Sequence, residues 1–211
     1  MELDIRNIGV DEVNRQIRDL ESNAEEIIIV NASRDDLVLL GLRHAIKIKI
    51  EGSLGDYCIV ANERADIQVS GNVGSAAGEG VRGGSIVVRE HAGEALGAFG
   101  YGGLVAVYGS AGPRCAVALQ GADIVVRGNV AAQAAMNMRS GTLVIGGSAG
   151  KDLGLGMTGG TIFMRGEAES VAEHLECVRM KEPDRFRISL LMLKAGIKTS
   201  GADFHVYKVA K

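Results

Sequence analysis

At 211 residues the chain suits one domain, or one domain with terminal additions, and is long enough to bury a real core. Apolar residues make up 46% of it, yet with 30 glycines, two prolines and no tryptophan the core must come from aliphatic side chains and alanine. A formal net charge of −3 without any block of like charges argues against a general nucleic-acid binder, which needs a clustered basic surface to displace counterions.

The N-terminus reads Met-Glu-Leu-Asp, acidic and without the basic flank and apolar stretch of a signal peptide. No apolar run approaches the ~20 residues of a membrane span, so a soluble, cytoplasmic protein is expected. Val13, Ile17 and Leu20 follow Asp11 at helical spacing, which predicts an amphipathic helix over 11–22 with Asp11 as its N-cap. Ile27 to Val30 reads as a first strand, and residues 1–30 together as an N-terminal cap.

From 31 to 167 the chain repeats every nineteen residues. Stepping from Ile48 gives Ile67, Ile86, Val105, Ile124, Leu143 and Ile162; stepping from Ile50 gives Val69, Val88, Val107, Val126, Ile145 and Met164. A further column reads Gly52, Gly71, Glu90, Gly109, Gly128, Gly147 and Gly166, glycines that would close each strand with a φ > 0 turn. A second strand is expected before it in each coil, with Cys58, Ala77, Leu96, Cys115, Ala134 and Leu153 inward. The next inward set would be Val60, Glu79, Ala98, Val117, Met136 and Leu155, broken only by Glu79. A fixed short period of strands and turns with no helix inside it predicts an all-β solenoid, a right-handed parallel β-helix of about seven coils. Six steps at ~4.8 Å give a rod about 29 Å long.

After Gly166 the pattern stops, and 168–211 reads as a helical extension. Glu169 to Met180 and Asp184 to Ala195 are predicted helices, the second with Pro183 before it and Gly196 past its end. These terminal segments are natural covers for the open strand edges of a solenoid, and serve equally well as docking surfaces.

Two stretches match the dinucleotide-binding pattern G-x-G-x-x-G: Gly78 to Gly83 and Gly154 to Gly159. That motif binds phosphate between a strand and a helix N-terminus, whereas here each match precedes a strand, Ser85 to Arg89 or Thr161 to Arg165. Corner glycines are the expected role, for Gly154, Gly156, Gly159 and Gly160 as for the earlier column. The histidines show no metal-ligand spacing, and His91 shares a polar column with Asn72, Ser110, Asn129, Ser148 and Glu167 that should satisfy turn backbone. Cys58, Cys115 and Cys177 are widely separated with no C-x-x-C pair, which fits a reducing compartment rather than disulfides or zinc. No Ser/His/Asp set emerges, so no catalytic or metal-binding residue is assigned. Arg89, Arg127 and Arg165 recur every second coil on the outward face, interleaved with Ser70, Tyr108 and Gly146. They form either a solvated flank or a face for an acidic partner surface or a carboxylate ligand.

The run Gly154-Leu155-Gly156-Met157-Thr158-Gly159-Gly160-Thr161-Ile162 resembles the G-x-G-x-G domain at the C-terminal end of the glutamate synthase large subunit. The similarity runs through 52–166, and the tail Leu193-Lys194-Ala195-Gly196-Ile197-Lys198-Thr199-Ser200-Gly201-Ala202-Asp203-Phe204 looks like a degraded form of the segment that follows the repeats there. The resemblance implies a right-handed β-helix in a supporting role, with the glutaminase and flavin chemistry in other domains. A chain of this length is similar to the stand-alone subunit of split, archaeal-type glutamate synthases or of N-methylglutamate synthase-type enzymes. It is also similar to the formylmethanofuran dehydrogenase subunit that carries the same motif.

The resemblance therefore implies a non-catalytic scaffold subunit of a glutamate synthase-like oxidoreductase, with glutamine amidotransferase and FMN-binding synthase subunits as partners. FMN and iron–sulfur would sit on those partners and no cofactor on this chain. The alternatives are the equivalent scaffold of a formylmethanofuran dehydrogenase complex and a carbohydrate-active β-helix enzyme. For the last, Asp66 and Asp123 share a column, but three coils separate them by about 14 Å, beyond the ~5–9.5 Å that glycoside hydrolysis uses. The pattern is also compatible with self-association through the coil ends.

Overall fold

The nineteen-residue period is the register of the sheet. In a computed structural model describing residues 1–198 and 203–210, Ile48 pairs with Ile67, Ile67 with Ile86, and so on in parallel to Leu143 with Ile162. The strands are β1 (Glu2–Asp4), β2 (Glu26–Asp35), β3 (Lys47–Leu54), β4 (Asp66–Val69), β5 (Ser85–Val88), β6 (Leu104–Val107), β7 (Gln120–Val126), β8 (Ser140–Ile145), β9 (Thr161–Met164), β10 (Leu175–Val178) and β11 (His205–Val209). The helices are α1 (Val10–Glu21) and α2 (Glu182–Lys194). Strands β2 to β9 stack in chain order as a parallel β-helix of about seven coils, with β11 and then β10 added beyond β9. The two β-columns stepped from Ile48 and Ile50 are all buried inside the solenoid.

Each coil has one strand, not two. The segment predicted as a second strand is a run of tight turns, with amides such as Glu79 N–H donating three residues back to Ala76. It is left-handed at alternate residues: Ala76, Gly78 and Gly80 in one coil, Arg114, Ala116 and Ala118 two coils on. A left-handed alanine costs about 1–2 kcal/mol. It persists because its amide is fixed from outside: Ala76 N–H donates to Glu94 of the next coil and Gly78 N–H to Cys58 of the preceding one. Cys58, Ala77, Leu96, Cys115, Ala134 and Leu153 are buried as expected. The Val60 column, by contrast, lies nearer the surface of the corner: Ala98 is buried, but Val60, Glu79, Val117 and Met136 are half-exposed and Leu155 is open, so Glu79 interrupts no sealed core.

The G-x-G pairs Gly78/Gly80 and Gly154/Gly156 stand at these left-handed corners, and Gly160 too has positive φ. In the first glycine column only Gly52 does. Gly71, Gly109, Gly128, Gly147 and Gly166 are required instead by close approach, since a Cβ there would meet the backbone of the preceding coil. Gly159 is in the same position, against the Arg139 carbonyl.

Helix α1 begins one residue earlier than predicted, with Gly9 as N-cap and Asp11 in its first turn. It buries Val13 and Ile17 and covers the first coil. Within the solenoid, every other left-handed corner amide donates backward, as Ile59 N–H does to Val38, and Glu63 N–H likewise to Leu42. The first coil has none behind it, and side chains of α1 take that place: Leu39 N–H donates to Asn14 Oδ1 (2.9 Å) and Arg43 N–H to Glu21 Oε2 (3.1 Å).

At the other end, the helix predicted over Glu169 to Met180 is absent, and 168–211 is not simply a helical extension. Ala168 and Val171 instead bridge in parallel to Ala149 and Leu153 as a partial further coil, followed by β10. Val171, Leu175 and Val178 are spaced as in a helix, but Val171 takes a bridge at the open edge of the last coil and Leu175 to Val178 pair with β11. Strand β11 closes that edge antiparallel to β9, and β10 pairs with β11. The second predicted helix is present as α2, and residues 199–202 of the quoted tail lie outside the described residues.

Replacing Asn14 with Leu should lower stability by about 1–3 kcal/mol in urea unfolding, because it orphans buried groups of the first coil. An unchanged midpoint would show that α1 covers the coil by apolar contact alone. Gly109→Ala should cost more than Gly80→Ala in the same assay. The latter meets open space and carries only the left-handed penalty of about 1–2 kcal/mol.

Candidate functional site

The outward face of the parallel sheet changes character along the rod. Its column reads Lys49, Gln68, Val87, Ala106, Val125, Val144 and Phe163, exposed at the first two and fully buried from Ala106 onward. Helix α2 lies over the apolar part: Ile188, Leu191, Met192 and Ala195 pack with Leu104, Ala106, Val125, Val144 and Phe163 in a second core outside the solenoid. Burying one such side chain contributes roughly 1.5–3 kcal/mol, against about 0–1 for a part-exposed ion pair, so packing holds the helix. Polar contacts set its orientation. Arg187 Nη2 reaches Asp123 Oδ1 (2.6 Å) and Thr142 Oγ1 (3.1 Å) from the middle of the helix, and Tyr108 Oη donates to the Ala195 and Gly196 carbonyls at its C-terminal end. Tyr108 thereby satisfies carbonyls that a helix C-terminus leaves unpaired.

Beside α2 runs an open groove of about 450 Å³ lined by Asp66, Ser85, Leu104, Asp123, Leu191 and Lys194. Its two carboxylates are both engaged, Asp66 by the Ser85 hydroxyl (2.6 Å) and Asp123 by Arg187. Among the described residues, no group of three His, Cys, Asp or Glu side chains stands close enough to hold a metal ion. No helix among them is long and apolar enough to cross a membrane.

The arginine row is in place but is not a uniform stripe. Arg89 stacks on the Tyr108 ring (4.6 Å) and Arg165 on Phe204 (5.0 Å), while Arg127 stands exposed between them. The polar column is a continuous ladder. Ser53 accepts from the Asn72 amide, Asn72 from His91, His91 Nδ1 from Ser110, Ser110 from Asn129, Asn129 from Ser148 and Ser148 from Glu167. His91 Nδ1 therefore serves as an acceptor, with any ring proton of the neutral form on Nε2.

Sequence reasoning missed the helix-covered outer face. Its signal was the unbroken apolar run Ala106, Val125, Val144, Phe163 at outward positions, where a solvated solenoid face would be polar.

The family described as GXGXG motif matches residues 29–183. Among curated proteins none matches the chain. Among solved structures it is similar to a chain of the formyltransferase/hydrolase complex (FhcABCD) from Methylorubrum extorquens, determined in complex with methylofuran. The identity is 21%, the match covers 93% of this chain and 84% of that one, and the TM-score is 0.70, a likeness of fold.

Burial raises the Cys58 and Cys115 thiols from an ordinary 9.0 to about 12, while Cys177 is exposed. The thiolate is the reactive form. A disulfide-exchange reagent at pH 8 should therefore titrate one thiol in the native protein and all three after unfolding. Because both folded values are raised, their contribution to stability is complete below about pH 9 and falls as pH climbs toward 12. Two or more thiols reacting at the native rate would contradict the buried assignment.

Proposed function

The chain belongs to the GXGXG motif family, and we propose that it is a scaffold subunit of a multi-subunit enzyme, of glutamate synthase type. Its β-helix organises a glutamine amidotransferase and an FMN-binding synthase subunit, and ammonia passes between their sites in the cytoplasm. FMN and iron–sulfur belong to those partners, and this chain contributes shape rather than a reacting group. The observation that carries the reading is where the chemistry-bearing residues are spent. The G-x-G glycines make corners, His91 accepts a backbone amide and Asp123 positions α2. The tail resemblance to glutamate synthase supports the choice of complex, and the row Arg89, Arg127, Arg165 offers a basic flank to a partner's acidic surface.

A second reading is favoured by the match in fold to the Methylorubrum extorquens chain over 93% of this one. On that reading the same scaffold serves a formyltransferase/hydrolase-type assembly. A carbohydrate-active enzyme has less support, because Asp66 and Asp123 are both engaged, by Ser85 and by Arg187.

Affinity purification of the tagged chain from its native cell, with mass spectrometry of what accompanies it, is expected to recover an amidotransferase and an FMN-binding subunit. Recovery of formyl-transfer subunits moves the chain to the second reading. A chain recovered alone as a homo-oligomer overturns both.

A further inference from the structure

Helix α2 is apolar on two opposite faces. One carries Ile188, Leu191, Met192 and Ala195 against the sheet. The other carries Phe186, Leu190 and Leu193, exposed at 72%, 37% and 76%. Phe186 and Leu193 are the most exposed large apolar side chains among the described residues. Contiguous exposed apolar ridges mark interaction sites.

We infer that the outer face of α2 is the docking site for an amphipathic helix of a partner subunit, whose apolar ridge is flanked by aspartate and glutamate. The inference rests on the scaffold reading and specifies where its partner sits. Positions 186, 190 and 193 are spaced as one ridge two turns long, about 10 Å, the i, i+4, i+7 anchoring that helix-to-helix recognition uses.

Charge selects the occupant. Arg185 flanks the ridge on one side and Lys194 on the other, and neither has an ion-pair partner among the described residues. Arg187, on the Lys194 side, is engaged by Asp123. Glu182 is the one acid on this exposed face of the helix. A second copy is disfavoured by the same charges. Antiparallel pairing of α2 with itself about Leu190 sets Lys194 of one copy beside Arg187 of the other, a cation already engaged by Asp123, so a second copy brings no acid to Lys194. Acidic flanks on a different subunit complement both cations and keep the ridge buried.

The test uses the full chain in its native cell. With Phe186 or Leu193 replaced by p-benzoylphenylalanine and the cells irradiated before lysis, the adduct is expected on a subunit that co-purifies with the wild-type chain. Within that subunit it should map to a helix with an apolar i, i+4, i+7 ridge and acidic flanks. Leu193→Asp, and separately Arg185→Glu with Lys194→Glu, should reduce recovery of that subunit by about tenfold or more, with thermal melting close to wild type. If Leu193→Asp melts early, the adduct from position 186 decides. An adduct on a second copy of this chain, or undiminished recovery from both variants, overturns the inference and leaves the scaffold reading standing. A wild-type chain that brings no subunit with it overturns both.

Discussion

Every coil of this protein depends on main-chain hydrogen bonds to the coil before and the coil after. A single nineteen-residue turn buries its apolar side chains only when flanked, and its amides and carbonyls have few partners within the turn itself. Net, each such bond is worth about 1 kcal/mol, while a buried donor left without an acceptor costs about 1–3, so register dominates composition. The Ile48 column pairs with its neighbours across seven coils because one slipped residue would turn every inward side chain outward. Left-handed alanines at the corners, unfavourable alone, follow from the same demand: Ala76 and Gly78, both left-handed, send their N–H groups to opposite neighbours, the next coil and the preceding one. The ladder from Ser53 to Ser148 repeats the solution with side chains, each accepting one amide from the next coil, the last from Glu167.

A solenoid must then answer for its ends. The first coil lacks a predecessor, and α1 substitutes for one polar group at a time. Asn14 Oδ1 stands where a carbonyl of a preceding coil would accept from Leu39, and Glu21 Oε2 where another would accept from Arg43. The last coil is closed by reversing direction. Antiparallel β11 lies on β9 and breaks the parallel order, so no further coil of this chain can add there. The outermost strands are β1 with three residues and β10 with four, short edges of the kind that limit unwanted pairing.

The parallel β-helix, its register and the inward columns through Ile48, Ile50 and Cys58 are legible because they are periodic, and period survives without knowledge of three-dimensional context. What misleads is local. The corner segments have the alternate small and apolar residues of a strand, but their conformation is set by bonds to other coils, which no window of one coil contains. The Gly71 column reads as left-handed turns, whereas its glycines are required by the backbone of the preceding coil. Val171, Leu175 and Val178 carry helical spacing, yet Val171 bridges to Leu153 and Leu175 to Val178 form a strand on β11. Of the candidate residues, Arg89, Arg127 and Arg165 stand in their predicted row, but the rings that engage two of them come from Tyr108 in the next coil and Phe204 in the tail. The second comes from a part of the chain the period does not reach.

Function in such a molecule is expected where the period fails, because a perfect repeat presents the same surface at every level and distinguishes none. The outer column shows the failure plainly: Lys49 and Gln68 face water, while Val125, Val144 and Phe163 are sealed beneath α2. That helix is not needed to complete the solenoid core, which Ile124, Leu143 and Ile162 already fill from inside. It is nevertheless fixed at two points, by Arg187 on Asp123 and by Tyr108 on its last carbonyls. A helix held in a set orientation on a rigid rod, with an apolar ridge turned to solvent, has the form of a presented surface rather than a cap. Rigidity is what such a surface gains from the β-helix, since a preordered ridge loses little conformational entropy when a partner covers it.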